Sequence, residues 1–171
     1  KISLLSSHLL KSPGEMAVRV ATSTDEGDRL MIVNDDDGSI ACYTLLRSQN
    51  VIAPCEWTTD GTFLNIGVDV DDIYVIVKRT VNSAAVYYVE VFDADVFLDC
   101  ALTGGAASSV NVTHLEAEQV QIIRDGIIEP AQTVGASPHT VTFANAATSS
   151  HQVGLNFTPT IKTLPVEPNL P

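Results

Sequence analysis

The chain has 171 residues, 45% hydrophobic and 18% charged, and 21 acidic residues against 9 lysines and arginines give it a formal charge of -12. That is ordinary globular composition, so it excludes a disordered chain, and no apolar run approaches the ~20 residues of a membrane-spanning helix. Nine acids against five bases up to Asp60, and seven against two from Gly61 to Cys100, disfavour specific nucleic-acid binding, which needs Lys and Arg to displace counterions from phosphates.

The N-terminus has no signal-peptide pattern. A start at Lys1 and a tail spaced by Pro165, Pro168 and Pro171 predict a piece of a longer polypeptide. Ser3 as a cap, with Ile2, Leu5 and Leu9 on one face, predicts a short helix ending before Ser12-Pro13-Gly14. Met16 to Ala21 alternates like a strand, and 22–28 reads as a polar loop. From Arg29 to Phe92 the chain reads as a ladder of antiparallel strands. Leu30 to Val33 runs into the turn cluster Asn34-Asp35-Asp36-Asp37-Gly38, and Ile40 to Leu46 comes back out. Val51 to Thr58 and Thr62 to Val68 flank Asp60-Gly61, a favoured tight-hairpin dipeptide. Ile73 to Thr80 and Ala84 to Phe92 flank Val81-Asn82-Ser83, and their β-branched and aromatic content suits a pleated, half-buried surface.

After Phe92 the character changes. Residues 1–100 are expected to form an antiparallel β unit. The small-residue run Thr103-Gly104-Gly105-Ala106-Ala107-Ser108-Ser109 suggests a linker at 101–109. In 110–171 a second β unit is expected, with a hairpin at Asp125-Gly126. Val141 with Phe143, and Val153 with Leu155 and Phe157, are expected on single buried faces by period-two alternation. The fold class is therefore all-β, with blade-like or sandwich sheets followed by a second small β domain. A complete propeller needs at least about four blades of ~40 residues and does not fit.

Candidate sites read mostly as structure. The acidic turn Asp35 to Asp37 invites a weak calcium reading. With Gly38 set at the sixth position of a calcium loop, however, Val33 falls at the first and Thr44 at the twelfth, where carboxylates belong. A solvated hairpin turn is the preferred reading, as for Asp69, Asp71 and Asp72. His8, His114, His139 and His151 lack metal-helix spacing. The nearest ligand set is His114, Glu116 and Glu118, which would share one face of a strand. Trp57, with Tyr43, Phe63, Tyr87 and Tyr88, could form a sugar-stacking platform, although buried packing is the default for aromatics in strands. Cys42, Cys55 and Cys100 are odd in number and far apart, which suggests neither a disulfide framework nor a metal site. Cys42 is expected to be a buried free thiol. There is no Gly-x-Ser-x-Gly elbow and no phosphate cradle. No catalytic, cofactor-binding or metal residue is assigned, and no enzyme activity is expected.

Several runs carry a resemblance. "ISLLSSHLL" (Ile2 to Leu10), "DDDGSIACYTLLRSQNVIAPCEWTTDGTFLNIGV" (Asp35 to Val68) and "DDIYVIVKRTVNSAAVYYVEVFD" (Asp71 to Asp93) are followed by "THLEAEQVQIIRDGIIEPAQTV" (Thr113 to Val134) and "HQVGLNFTPTIKTLPVE" (His151 to Glu167). In this order the chain resembles the large tail-tube, or nozzle, proteins of short-tailed bacteriophages and prophages, which are built around a β-propeller. The resemblance implies a fragment of a virion structural protein, made in the bacterial cytoplasm and located in the tail. Copies would form a ring around the DNA exit channel beside neighbouring tail proteins, with no membrane span, no catalysis and no cofactor. The alternative from another class is a carbohydrate-binding or adhesion module.

Overall fold

The computed structural model describes residues 6–23 and 26–161, and the fold is all-β. The first sheet is an antiparallel meander of β1 (Pro13–Arg19), β2 (Asp28–Asn34), β3 (Ile40–Leu46) and β4 (Val51–Trp57), in that spatial order. The second is a meander of β5 (Thr62–Asp69), β6 (Asp72–Val81) and β7 (Ala84–Phe92). Ser7–Leu9 forms a single 3-10 turn. Ile2, Ser3 and Leu5 of the expected helix lie outside the described residues.

The two sheets close on one core because each offers an apolar parity. Met31, Val33, Ile40 and Cys42 of the first sheet meet Phe63, Ile66, Ile73, Val75 and Val77 of the second. On β6 the alternation is strict from Ile73 to Val81, every second side chain being buried, as a strand with one face on the core requires. The opposite face of the first sheet is partly covered by the N-terminal segment. There the Tyr43 hydroxyl donates to the Ser6 carbonyl at 3.3 Å, and the buried Asn34 side chain donates to Leu9 O at 2.9 Å.

Turn chemistry explains the local connections. Asn82 and Ser83 both take positive φ, as do Asp125 and Gly126, which is what a two-residue hairpin of the favoured twist demands. The β6–β7 turn therefore has two residues, and Val81 pairs with Ala84 as part of the ladder. In the β2–β3 turn Gly38 has φ +67°, and a Cβ there would overlap Thr62 Cγ2. Gly38 O also accepts the Phe63 amide at 2.9 Å, which ties this turn to the start of β5. Gly38→Ala is expected to lower stability by at least about 2 kcal/mol through left-handed strain and overpacking. Urea denaturation checks this as a lower midpoint with an unchanged slope.

Asp60-Gly61 behaves differently from the expected tight hairpin. β4 and β5 belong to different sheets, and the chain crosses from the outermost strand of the first sheet to β5, which lies against β1 and β2. Two features oppose the hairpin. Pro54 has no amide to donate, which suits β4 to a sheet edge, and a buried arginine holds the Asp60 carbonyl (Arg79 Nη1 to O, 2.7 Å).

The segment expected to be a linker is largely strand. β8 (Asp99–Gly104) pairs with β13 (His151–Leu155), and β9 (Ala107–Asn111) pairs with β12 (Thr140–Ala147). With β10 (Gln119–Arg124) and β11 (Ile127–Thr133), these strands build a four-stranded sheet ordered β11-β10-β13-β8 and a two-stranded ribbon. Between them lies a second core of Val112, Leu115, Val120, Ile122, Val134, Val141, Phe143, Val153 and Leu155, whereas Phe157, expected on the same buried face, is exposed because β13 ends at Leu155. Small residues in 101–109 serve packing here. A Cβ at Gly104 would lie 2.5 Å from the His151 ring, and His151 Nδ1 sits 2.7 Å from Gly105 O. The Gly104-Gly105 doublet seats a buried histidine between strands.

Candidate interaction surface and a buried ion network

The second sheet has an outer face that nothing among the described residues covers. Its side chains alternate with the buried set on β6 and match it in register on β7, Tyr74 opposite Val91, Ile76 opposite Val89 and Lys78 opposite Tyr87. Val89 is 74% exposed, Tyr87 63% and Val91 51%, with Tyr74 and Ile76 about two-fifths exposed. Five large apolar or amphipathic side chains therefore form one contiguous patch, interrupted by a single cation. Isolated exposed apolar residues are ordinary, whereas a contiguous apolar face of this kind is a candidate contact surface. β7 ends its sheet on one side and β1 ends the first sheet on the side away from β4, so each presents a backbone edge unpaired among the described residues. Met16, Val18 and Val20 stand exposed along or just beyond β1.

Between this sheet and the C-terminal strands lies a polar network that no motif announces. Arg79, on an inward position of β6, is almost wholly buried and has all five of its N–H donors engaged. Nε and Nη2 reach Glu90 at 2.7 Å each, Nη2 and Nη1 reach Asp99 at 2.7 and 3.1 Å, and Nη1 reaches Asp60 O. Asp99 also accepts from Thr59 Oγ1 at 2.7 Å and from the Asp60 amide at 3.1 Å. Burial pushes the Asp99 carboxyl up, but the hydrogen bonds from Arg79 and Thr59 outweigh it and hold the group below its ordinary value. A guanidinium that satisfies two carboxylates and a carbonyl is the fully connected form of a buried ion network. It links β6 and β7 of the second sheet to β8 of the third. The sequence did carry a signal for it, since Arg79 stands at the parity otherwise occupied by Ile73, Val75, Val77 and Val81.

The residues singled out from sequence mostly do not converge. Asp37 accepts from the Ser39 amide and hydroxyl at 3.0 and 2.7 Å and pairs with Lys11 at 2.6 Å, which lowers its carboxyl to about 2. Asp35 and Asp36 point to solvent. Among the described residues no three His, Cys, Asp or Glu side chains are grouped to hold a metal ion. His114, Glu116 and Glu118 do not share a strand face, because Thr113–Leu115 is a 3-10 turn whose Leu115 is drawn into the second core. His114 Nε2 lies 3.0 Å from Cys100 O, and the Tyr88 hydroxyl donates to His114 O at 2.8 Å. His139 Nδ1 lies 3.1 Å from Gly135 O.

The aromatic set is split as well. Trp57 packs on Phe92 with ring centroids 4.7 Å apart, Phe63 joins the same core, and Tyr43 is buried on the opposite face of the first sheet. Only Tyr87 of that set is exposed on the outer face of the second sheet, alongside Tyr74, so no platform forms around Trp57. In the C-terminal unit, the Asp125 carboxylate accepts backbone amides of Thr148, Ser149 and Ser150. Those bonds hold its pKa well below the usual carboxylate range and clamp the β12–β13 turn onto the β10–β11 hairpin. No protein-family model matches the chain, and no curated protein matches its sequence.

Proposed function

We propose that this chain is a structural part of a bacteriophage or prophage tail tube, contributing two blade-like sheets and an adjoining β unit to a subunit that assembles into a ring in the virion. The observation that carries the reading is the uncovered apolar face of the second sheet. In a propeller, each blade has one face on the preceding blade and the other on the following one, and here, among the described residues, the second sheet has one face occupied and one vacant. The crossover from β4, an outer edge, to β5, beside β1 and β2, supports the reading, because successive propeller blades are joined by a crossover of that kind. The resemblance in the order of runs points the same way. Burial of such faces and edges between neighbours would drive assembly, and the acid excess would let the genome pass without adhering. In this role no residue performs chemistry.

A carbohydrate-binding module is the second reading, favoured by Tyr74 and Tyr87 standing exposed on one sheet face. Negative-stain electron microscopy of the polypeptide that carries this chain, alone and with neighbouring virion proteins, separates the two. Rings or tubes are expected. Monodisperse monomers throughout, together with saturable binding to a glycan array that is lost in Tyr74→Ala/Tyr87→Ala, would overturn the tail-tube reading in favour of the module.

A further inference from the structure

The β3–β4 hairpin places two of the three cysteines opposite each other. Leu46 pairs with Val51 around the turn Arg47–Asn50, and the register carries Cys42 onto Cys55. All three cysteines are free thiols. Directly opposite residues of an antiparallel pair lie about 4.5 or about 5.5 Å apart between Cα atoms, depending on the pair type. Both spacings fall inside the span of about 4.4–6.8 Å that a disulfide bridges. The side chains share a face because the residues are in register.

Their surroundings differ in a useful way. Cys42 is buried among the residues of the first core, whereas Cys55 is exposed on the outermost strand. The Cys42 thiol, with Trp57 and Arg29 adding to it, lowers the Cys55 thiol below its ordinary pKa, while Cys42 itself is raised by Cys55 and by burial. Cys55 is open to solvent and Cys42 is buried, so the outward thiol is the one that ionises, and the thiolate is the attacking species in exchange.

We propose that Cys42 and Cys55 form an oxidisable cross-strand dithiol, a modification site that closes to a disulfide by exchange with a low-molecular-weight disulfide. The Cys55 thiolate attacks one sulfur of the disulfide RSSR, whose S–S bond breaks and releases RS⁻. Cys42 Sγ then attacks Cys55 Sγ, the second RS⁻ leaves, and it takes up the Cys42 proton. Two protein thiols are oxidised and one RSSR is reduced to two thiols. The product staples β4, which is hydrogen-bonded along one side only, to β3 across a short loop. Cys100 is outside this chemistry, because burial pushes its thiol up to about 12 and it lies on β8.

The test incubates the native chain with oxidised glutathione, blocks remaining thiols and measures intact mass. Loss of two hydrogens with one blockable thiol left is expected. Trypsin cleavage after Arg47 places the two cysteines in separate peptides, Leu30 to Arg47 and Ser48 to Lys78, which stay joined until reduction. Melting temperature should rise by about 5–10 °C on oxidation, from the closed loop. Cys55→Ser should abolish both changes, and Cys42→Ala should stop at a glutathione adduct on Cys55. Three blockable thiols after exposure, a persistent glutathione adduct on the unmodified chain, or a bridge to Cys100 would each overturn the proposal.

Discussion

Arg79→Met is expected to lower stability at neutral pH by about 3–5 kcal/mol, the loss typical of removing one partner from a buried ion network. The volume of the methionine nearly fills the site, so the loss comes from charge. Glu90 and Asp99 remain mostly buried within bonding distance of a cation that is gone, and the Asp60 carbonyl loses its donor. The deficit should depend on pH. Asp99 is held below its ordinary pKa in the folded chain, so its contribution is present above the unfolded carboxylate pKa of about 3.9 and is lost as pH falls through the folded value. The gap between the parent and Arg79→Met should therefore be widest near neutrality and narrow below about pH 4. Urea denaturation across pH 3 to 7, with Arg79→Met/Glu90→Gln/Asp99→Asn as the variant that recovers part of the loss, checks the account. A neutral-pH deficit within about 1 kcal/mol would sink it, since that is the size of an exposed pair.

A second large effect is expected on assembly. Ile76→Glu/Val89→Glu places two carboxylates opposite one another at the centre of the exposed face, in a chain that is already acidic. Self-association should weaken at least tenfold, because like charges would have to be desolvated together at the interface. Unfolding midpoints should change little, as both side chains point away from the core and exposed substitutions usually cost within about 0.5 kcal/mol, plus a modest term for the facing charges. Sedimentation velocity of the parent and the variant over a concentration series measures the first effect, and thermal melting the second. Equal association in both would mean that the outer face of the second sheet is not the contact.

Both effects depend on a strand pattern that was readable, and on partners that were not. The ladder from Arg29 to Phe92 was legible because side-chain alternation is a property of each strand, and the turns at Asn82-Ser83 and Asp125-Gly126 because left-handed backbone is a local demand. Asp60-Gly61 carries the same dipeptide as Asp125-Gly126 and joins two sheets instead. Turn preference does not say which strand comes next to which, and here Arg79 and the packing of β5 on β1 and β2 decide. The small residues at 101–109 misled for a related reason. Composition cannot separate a flexible connection from strands whose glycines make room for His151. The Cys42–Cys55 pairing was within reach of simple register counting around Arg47–Asn50, and the separation of the two cysteines along the chain concealed it.

The amino-acid sequence by itself determined that this protein is all-β, where most of its strands run and which side chains each strand turns inward, because the two-residue period of a strand is set by the backbone. Only the tertiary structure decided that these strands form two meanders closed on one core and a sheet and ribbon of non-consecutive strands closed on a second, that Arg79 gathers Glu90 and Asp99, and that one apolar sheet face is left uncovered among the described residues. Those outcomes depend on which surfaces meet, and contacts between segments far apart in the chain are selected by the packing of the whole rather than by any residue's own preference.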